Sequence, residues 1–362
     1  MANDKPNILS FSFEEWEAWV VDLGWKRYRA KQILSWLYQR HVGDFEEMTD
    51  LSKDDRALLK EKTSLKHLEI VTHQKSTDGT EKFLLRMEDG NRIESVLIPG
   101  ENRLTLCISS QAGCTLDCGF CLTALEGLQR NLKGHEIVDQ ILTVQRTLPE
   151  GKRITNIVMM GMGEPLANYA QVIEALKKII SPLGLGFSPR RVTVSTAGMV
   201  PQITQLLKEI PVNLSVSLNA TTDETRDRIM PKVNRLYPLR ELLSACKAAP
   251  LPSRRRITFE YVLLGGVNDT PEDATRLIRL THGIHCKINL IPFNPFPGTP
   301  YHRPADEQVL RFQDILHRGG LTATIRKSKG RDILAACGQL RSESTPPTLL
   351  LTLSGGIQIL PA

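Results

Sequence analysis

Hydrophobic and polar positions near the start of the chain follow the spacing of α-helices. In Phe13–Val21 two tryptophans stand three positions apart, and in Tyr28–Arg40 the apolar residues gather on one side, as in amphipathic helices. A third helical pattern ends near Lys62, and either Asp50 or Ser52 is a suitable N-cap for it. The pattern therefore predicts a small N-terminal helical domain.

The next segment, residues 71–102, alternates apolar and polar positions as β-strands do. Two pairs of turn-forming residues, Asp78-Gly79 and Asp89-Gly90, interrupt this alternation. Strands joined by such short turns pair antiparallel. We therefore predict a small antiparallel β extension between the helical domain and the rest of the chain.

From residue 103 onward, short strand-like runs alternate with helical segments. The strand-like runs cover residues 103–109, 154–162, 190–198, 212–220, 257–264 and 286–293. The helical patterns between them are Gly134–Arg146, Tyr169–Ile180, Pro201–Glu209, Leu239–Ala248 and Pro271–Thr281. Six βα units in succession predict a parallel sheet with helices outside. Such a sheet can close partly into a barrel, whose site lies at the C-terminal ends of the strands.

A doubly wound open sheet is the structural alternative for this alternation. Sheets of that type usually carry a G-x-G-x-x-G motif after the first strand. No such motif follows the run at 103–109, which favours the barrel. The segment after Gly338 is rich in Ser, Thr and Pro and then apolar, and it fits neither pattern.

Composition limits the class of protein without identifying it. The chain has 362 residues, of which 41% are hydrophobic and 24% are charged, as in soluble globular proteins. No run approaches the roughly 18 apolar residues that cross a bilayer, and the polar N-terminus lacks the pattern of a secretory signal. We therefore expect no membrane association and a cytoplasmic location. The net charge of +6 permits an anionic partner.

The seven cysteines are the most informative residues, because an odd number excludes complete disulfide pairing within the chain. Cys114, Cys118 and Cys121 are spaced C-x3-C-x2-C after the first strand of the βα series. Three thiolates on one loop can hold three irons of a 4Fe–4S cluster and leave the fourth iron open. A structural zinc site, the alternative, needs four closed ligands, and no fourth Cys or His lies near this loop.

An open iron can bind the amino and carboxylate groups of S-adenosylmethionine and pass one electron to it. The loop, including the aromatic Phe120 before its last cysteine, resembles the cysteine motif of the radical SAM superfamily. This resemblance implies an α/β fold with a partial (β/α)6 barrel that binds one 4Fe–4S cluster and S-adenosylmethionine. It also implies S-adenosylmethionine contacts at polar strand ends. The candidates for these contacts are Gly163, Glu164, Ser195, Ser217, Leu218, Asn219 and Asn294.

Six separated motifs narrow the resemblance further. In chain order they are RLTLCISSQAGCTLDCGFC, GLQRNL, NIVMMGMGEPL, RRVTVSTAG, CKINLIPFNPFPG and AACGQL. They resemble the RlmN/Cfr family of RNA adenosine methyltransferases, and the likeness extends from about Phe11 to Leu340. One departure is Asn219, where many members carry histidine.

The resemblance implies a methyl relay through two further cysteines. Cys337, as a thiolate, would take a methyl group from one S-adenosylmethionine. A second S-adenosylmethionine, cleaved reductively at the open iron, would yield the radical that activates this methyl group for addition to adenine. Glu94 matches the proton acceptor of the family; without the resemblance, a surface charge on a hairpin is the alternative explanation for this residue. Cys107 would then attack the sulfur of Cys337, forming a transient disulfide that an external thiol reduces, whereas Cys246 and Cys286 would be ordinary buried residues.

The implied partners are 23S rRNA and tRNA, a flavodoxin-like one-electron donor and a thiol reductant, and the chain is expected to be a monomer. Several basic residues are suited to neutralise RNA phosphates. These residues are Arg130, Arg254–Arg256, Arg326, Lys327, Lys329 and Arg331. A solvated charged surface is the alternative explanation for each of them.

We therefore predict a radical SAM methyltransferase that modifies carbon 2 of an adenosine, a choice that the MTDLSK and GMGEPL motifs favour. The alternatives are methylation at carbon 8 and, in a different class, a non-catalytic RNA-binding metalloprotein. The expected domains are a helical RNA-binding domain (1–70), a β extension (71–102), a radical SAM partial (β/α)6 barrel (103–320) and a C-terminal segment that carries Cys337 (321–362).

Overall fold

The computed structural model describes residues 5–252 and 255–342. Its α-helices are α1 (Phe13–Asp22), α2 (Tyr28–Tyr38), α3 (Lys53–Lys62), α4 (Leu122–Leu125), α5 (Gly134–Arg146), α6 (Tyr169–Ile180), α7 (Val200–Glu209), α8 (Asp223–Ile229), α9 (Pro231–Leu236), α10 (Leu239–Lys247), α11 (Pro271–Leu280) and α12 (Asp306–Arg318). Its strands are β1 (Glu69–Lys75), β2 (Glu81–Arg86), β3 (Arg92–Gly100), β4 (Arg103–Cys107), β5 (Gln111–Gly113), β6 (Leu128–Asn131), β7 (Asn156–Met159), β8 (Val192–Thr196), β9 (Asn213–Ser217), β10 (Ile257–Leu263), β11 (Cys286–Pro292) and β12 (Ala323–Ile325). Across these two ranges, every helix is too short or too polar to reach through a bilayer.

Ten strands form one continuous sheet in the order β1-β2-β3-β4-β7-β8-β9-β10-β11-β12. Strands β1 to β4 pair antiparallel, whereas β4 and β7 to β12 run parallel. The predicted partial βα barrel is therefore confirmed. Strand β12 adds a seventh parallel strand, which three residues are too short to reveal by periodicity. Among the described strands β12 pairs with β11 alone, so the barrel stays open at this edge.

The β extension is continuous with the barrel, because β3 pairs antiparallel with β4 and sets Val96 opposite Cys107. The two predicted turns join β1 to β2 and β2 to β3. Gly79 and Gly90 take positive φ angles of 81° and 86° there, which glycine adopts at little steric cost. Strands β5 and β6 form a separate two-stranded hairpin that encloses the predicted cysteine loop.

Two of the three N-terminal helices, α1 and α3, begin at a serine whose side chain caps the helix. Ser52 is the N-cap of α3, since its hydroxyl accepts a hydrogen bond from the Asp55 N–H at 3.0 Å. Two buried polar contacts then fasten this region to the barrel helices. His67 Nδ1 lies 2.6 Å from a carboxylate oxygen of Asp139 on α5, and the Lys178 ammonium on α6 donates to a backbone carbonyl of the N-terminal region at 3.1 Å.

A second apolar cluster lies apart from the main core, at the C-terminal ends of the barrel strands. Its buried members are Leu116, Leu122, Ala197, Ala220, Ile229, Met230, Val233, Leu264, Phe293 and Phe296. Cys114, Cys118 and Phe120 pack against this cluster. Helices α8 and α9, which no sequence pattern predicts, supply two of its members, with Met230 between them as a third, and so form a platform for the cysteine loop.

Candidate active site

A cavity opens at the C-terminal ends of the parallel strands and holds about 950 Å³, including its mouth. Its walls bring together most of the side chains that the sequence singles out. The predicted site residues that line it are Cys114, Cys118, Cys121, Gly163, Glu164, Ser195, Ser217, Asn219, Asn294 and Cys337. Sites at this end of a βα barrel are the rule, because the strand ends and following loops converge there.

The cysteine loop is held in place by backbone geometry. Gly113 precedes it with φ +74°, and a Cβ at that position would lie 1.8 Å from the Gly127 carbonyl oxygen, so only glycine fits. The Cys114 N–H donates to the same carbonyl at 3.0 Å. Further along, the Gly119 N–H donates to the Ile229 carbonyl at the end of α8, also at 3.0 Å. The loop therefore rests on the α8–α9 platform.

The three thiols of the loop occupy surroundings that penalise negative charge. Burial raises the pKa of the Cys114 thiol to about 12 and also raises the pKa of Cys118 and Cys121. Neighbouring thiols raise these pKa values further, because close thiolates repel one another. Only a cation that shares the site would keep all three ionised. The iron of a cluster is a cation of that kind.

A donor set of three thiols on one short loop suits a 4Fe–4S cluster better than zinc, since the loop itself supplies no fourth Cys or His. Among the residues that the structure describes, no three His, Cys, Asp or Glu side chains converge as a single metal ion would require. The fit to a cluster therefore rests on donor type, spacing and the shared cavity. The Leu116 N–H already points at the Cys114 sulfur, at 3.4 Å, as in N–H donation to a bound thiolate.

The glycine-rich segment after β7 packs tightly against the end of β4. A Cβ on Gly161 would lie 2.7 Å from the Ile108 carbonyl oxygen, and one on Gly163, at φ +96°, would lie 2.5 Å from the side chain of Gln111. Gln111 is a site residue that the sequence analysis missed. Its amide oxygen accepts from the Glu164 N–H at 2.9 Å, so it fixes the segment to the cysteine loop.

Glu164 lines the cavity, but its carboxylate is engaged by backbone groups. One oxygen accepts from the Leu166 N–H at 3.0 Å and the other from the Ala197 N–H at 2.7 Å. Burial raises the pKa of Glu164, and these hydrogen bonds oppose that shift. The side chain thus ties the loop after β7 to the loop after β8.

Three polar strand ends present side chains to the cavity as predicted, namely Ser195, Ser217 and Asn294. The Asn294 amide donates to the Cys337 carbonyl at 3.3 Å, while its oxygen is buried without a hydrogen-bond partner among the described atoms. A buried acceptor without a donor is costly, and a ligand with an N–H or O–H group would satisfy it. Leu218 differs, because it is fully buried and stays outside the lining.

Asn219 lines the cavity, but its polar atoms form hydrogen bonds within the protein. Its side-chain oxygen accepts from the Val262 N–H at 2.8 Å, and its carbonyl accepts from the Asn268 amide at 2.6 Å. The residue also has φ +58°, a conformation that asparagine tolerates better than most residues. Asn219 therefore fixes the loop after β9 against β10. The position at which many family members carry histidine is thus a strained backbone position in this chain.

Cys337 lines the cavity beside the cysteine loop, and Cys107 is buried on β4. The Leu122 N–H at the start of α4 donates to the Gly338 carbonyl at 2.7 Å, which brings the segment of Cys337 next to the cysteine loop. Burial is the main reason that the pKa of Cys107 is raised to about 12, and the nearby Cys337 contributes to this shift. The two thiols therefore interact electrostatically, and both are free.

Arg326 also lines this cavity, which corrects its predicted place on a phosphate-binding surface. It follows β12, and its guanidinium lies 3.6 Å from the Met160 sulfur. Cys337 is the main cause of a raised pKa of this arginine, and Arg326 in turn lowers the pKa of Cys107. The three side chains form one electrostatic group. Periodicity did not reveal this placement because β12 is too short to be recognised.

Glu94 is a buried residue of β3, only 3% exposed, and the alternative of a surface charge is wrong. Its carboxylate pairs with the Lys82 ammonium at 2.9 Å and accepts from the Arg341 N–H at 3.0 Å. Burial raises the pKa of Glu94, while Lys82 and Arg341 lower it. The residue lies outside the cavity lining, one hydrogen bond from the segment that carries Cys337.

The other basic candidates are largely engaged within the protein. Arg130 is neutralised by Glu136, at 2.8 Å, and by Asp89, which argues against a phosphate contact. Lys329 donates to a carbonyl of β3 at 2.6 Å. Arg254 lies outside the described residues. Lys327, Arg331 and Arg256 are exposed and so stay candidates for phosphate.

Two family models match the chain. Residues 6–65 match the ribosomal RNA large subunit methyltransferase N-terminal domain. Residues 108–278 match the radical SAM superfamily. The first match covers the helical region, and the second begins just before the cysteine loop and covers most of the barrel.

Individual relatives extend the likeness to nearly the whole chain. One is the dual-specificity RNA methyltransferase RlmN of Syntrophus aciditrophicus (strain SB), 51% identical over 95% of this chain and 99% of its own length. Another is the enzyme of the same name from Geobacter sulfurreducens (strain ATCC 51573 / DSM 12127 / PCA), 53% identical over 93% of this chain and 92% of its own. Among solved structures, a radical SAM methyltransferase from Sphaerobacter thermophilus is 44% identical, with a TM-score of 0.89 over 93% of this chain and 100% of that one.

Proposed function

Because the chain belongs to the RlmN family of radical SAM RNA methyltransferases, we propose that it methylates carbon 2 of an adenosine in 23S rRNA and of the adenosine beside the anticodon in tRNA. The observation that carries the proposal is the shared cavity, which both the three-cysteine loop and Cys337 line, with Cys107 near enough to Cys337 for the two thiols to interact electrostatically. The name of the relatives, dual-specificity RNA methyltransferase, supports two RNA substrates.

One group of cavity residues would bind the 4Fe–4S cluster and another would bind S-adenosylmethionine. Cys114, Cys118 and Cys121 would hold the 4Fe–4S cluster, which, when bound, supplies one electron to S-adenosylmethionine and so the radical that activates the methyl group on Cys337. Gly163 lets the loop after β7 approach the cysteine loop closely. Ser195, Ser217 and the unpartnered oxygen of Asn294 are the polar groups free to orient S-adenosylmethionine. Glu164 and Asn219 position the loops around it, and Leu218 acts only as their buried neighbour.

Cys337 and Cys107 would act in sequence as acceptor and resolver. Cys337 takes a methyl group on its sulfur; this group loses one hydrogen atom to the radical, and the remaining methylene carbon bonds to the adenine, which links Cys337 to the RNA. Cys107 then attacks the sulfur of Cys337 as a thiolate; an S–S bond forms as the S–C bond breaks, and the carbon leaves with the RNA and the electron pair, taking up a proton to become a methyl group. Arg326 favours the thiolate form of Cys107, and an external thiol restores both cysteines.

Glu94 would remove the proton from carbon 2 of the adenine. Its carboxylate is paired with and oriented by Lys82, and its contact with the Arg341 N–H places it beside the segment of Cys337. A target base that is linked to Cys337 must therefore lie near Glu94. To reach this position the adenosine leaves its stack, as bases modified by enzymes do.

The remaining partners and the organisation of the chain follow from this function. We propose a cytoplasmic monomer that uses a flavodoxin-like electron donor and a thiol reductant. The proposed domains are the helical RNA-binding domain (1–70), the β extension (71–102), the barrel (103–320) and the C-terminal segment (321–362). The helical domain matches a family model for rRNA methyltransferases, which supports its contact with RNA.

Nucleoside analysis tests the proposed chemistry. The chain is reconstituted anaerobically with iron and sulfide, incubated with S-adenosylmethionine, a reductant and 23S rRNA or tRNA, and the RNA is digested for chromatography and mass spectrometry. We expect 2-methyladenosine from both RNAs. Formation of 8-methyladenosine alone would contradict the choice of carbon 2. A chain that binds iron and sulfide but forms no 5′-deoxyadenosine would contradict the radical mechanism.

A further inference from the structure

Lys82 occupies an unusual position for a lysine, since its side chain on β2 is only 9% exposed. Its ammonium lies 2.9 Å from one carboxylate oxygen of Glu94 and 3.4 Å from the Leu334 carbonyl oxygen. The other oxygen of Glu94 accepts from the Arg341 N–H at 3.0 Å. The ion pair therefore contacts the chain on both sides of Cys337, three residues before it and four residues after it.

Residues 329–342, called here the Cys337 loop, are held by the β extension at further points. The Gly330 N–H donates to a carboxylate oxygen of Asp78 at 2.9 Å, and the Ser76 hydroxyl donates to Asp332 at 2.6 Å. These contacts lie at the start of the loop, at its partly buried rim. The Lys82–Glu94 pair is the buried contact closest to Cys337 on this side.

We propose that Lys82 is a positioning residue for methyl transfer to RNA, which fixes Glu94 and the Cys337 loop in one arrangement. The inference rests on the proposed function of Glu94 and Cys337. A lysine suits this task because its ammonium has three donors. One donor pairs with the carboxylate, another reaches the loop carbonyl, and the positive charge offsets the burial of Glu94.

The charged groups around Glu94 determine how its pKa changes when Lys82 is replaced. The groups that face its carboxylate are Lys82 from β2 and Arg341 from the Cys337 loop. Burial raises the pKa of Glu94, and Lys82 is the larger of the two opposing effects. Without the ammonium, the pKa of Glu94 rises further, so less of the base is ionised at a given pH and the acidic limb of the rate profile moves to higher pH.

The test compares Lys82→Met with Lys75→Met, a matched loss of charge at an exposed position of the same extension. Each variant is first methylated on Cys337 by S-adenosylmethionine, and mass spectrometry of the Cys337 peptide measures this step. The methylated protein then reacts with RNA in a single turnover, from pH 6 to pH 9. We expect Lys82→Met to slow product formation at least about tenfold at pH 7 and to move the acidic limb upward, while Cys337 methylation changes less than about threefold. Lys75→Met should match the parent protein in both steps.

Two further variants separate positioning from loss of folding. Lys82→Gln keeps a donor without the charge and Lys82→Arg keeps the charge, so Lys82→Arg should recover more of the rate at low pH. The inference is overturned if Lys82→Met forms product within twofold of the parent at every pH, or if all three Lys82 variants lose Cys337 methylation and product formation equally. If the parent protein forms no methyladenosine, the proposed function fails instead.

Discussion

The cysteine loop and the Cys337 loop line the same cavity, yet they are held in different ways. The cysteine loop is fixed mainly through its backbone, by the close approach of Gly113 to Gly127 and by the hydrogen bond from Gly119 to the end of α8. The Cys337 loop is held on the side of the β extension by charged side chains, foremost Lys82 and Glu94.

This difference matches the work proposed for each loop. Backbone contacts in a glycine-restricted loop keep ligands at constant positions, as a cluster site needs. Contacts through charged side chains weaken when a proton is gained or lost. In the proposed cycle Cys337 meets S-adenosylmethionine, then RNA, then Cys107, so its loop benefits from such releasable contacts. The following predictions test the comparison, in order of decreasing effect.

Loss of one cluster ligand should have the largest effect. We expect Cys118→Ala to prevent stable incorporation of iron and sulfide and to abolish turnover, because two thiols on the loop cannot hold the cluster. The measurement is the iron and sulfide content after anaerobic reconstitution, together with the visible absorption. Cys246→Ala removes a buried thiol outside the cavity and serves as control. Full iron content in Cys118→Ala would show that this loop does not ligate the cluster.

Replacing each of the two relay cysteines in turn should give opposite outcomes. We expect Cys107→Ala to accumulate a covalent protein–RNA species, because the resolving thiol is missing, whereas Cys337→Ala has no sulfur to link and forms none. Denaturing gels with labelled RNA measure the species. Equal amounts of adduct in the two variants would contradict the assigned order of the cysteines.

The backbone restriction of the cysteine loop predicts a loss of stability on adding one methyl group. Gly113→Ala places a Cβ against the Gly127 carbonyl at a positive φ, so we expect roughly 3 kcal/mol of destabilisation. Gly90→Ala shares the positive φ but meets no atom within 4 Å, so about 1 kcal/mol is expected. Thermal unfolding of the two variants measures the contrast, and an equal shift of the midpoint would contradict the steric argument.

The smallest effect concerns Asp78 at the rim of the Cys337 loop. Burial acts to raise the pKa of Asp78, but hydrogen bonds from Thr80, Gly330 and Ser76 outweigh it and lower the pKa to about 2. The folded state thus favours the ionised carboxylate. Its contribution is present above the pKa of an unfolded aspartate, about 3.9, and is lost as the pH falls from there towards 2.

Hydrogen exchange at the Gly330 amide follows this contact. We expect Asp78→Asn to speed exchange there about threefold at pH 7, since a neutral acceptor binds the N–H more weakly than a carboxylate. In the parent protein, protection corrected for intrinsic rates should fall between about pH 4 and pH 2. Asp314→Asn, on the exposed side of α12, is the control. Unchanged protection in Asp78→Asn would show that the backbone alone holds the loop.

The parts of the site that depend on local pattern could be predicted from the sequence. The C-x3-C-x2-C spacing and the βα rhythm together indicated where Cys114 and its partners would lie, because strand ends of a parallel barrel meet at one edge. The polar strand ends Ser195, Ser217 and Asn294 followed from the same rule. The start of α3 could be predicted to within two residues, since the sequence left Asp50 and Ser52 open as caps and Ser52 is the one used.

The parts that depend on contacts between distant segments could not be predicted. Arg326 was interpreted as a phosphate contact, since nothing local shows that a three-residue strand turns it into the cavity. Without the family resemblance, Glu94 reads as a surface charge on a hairpin, because its partners Lys82 and Arg341 come from β2 and from a segment 247 residues away. A buried charge becomes recognisable only when its counter-charge is known.

Because β3 is paired with β4, the register of β3 determines on which face of the sheet Glu94 lies. Side chains alternate between the two faces of a strand, so an insertion of one residue within β3 would turn Glu94 away and present a neighbour in its place. An insertion in the turn at Asp89-Gly90 would leave that alternation intact. Changes in length within this lineage should therefore collect in the turn and avoid β3.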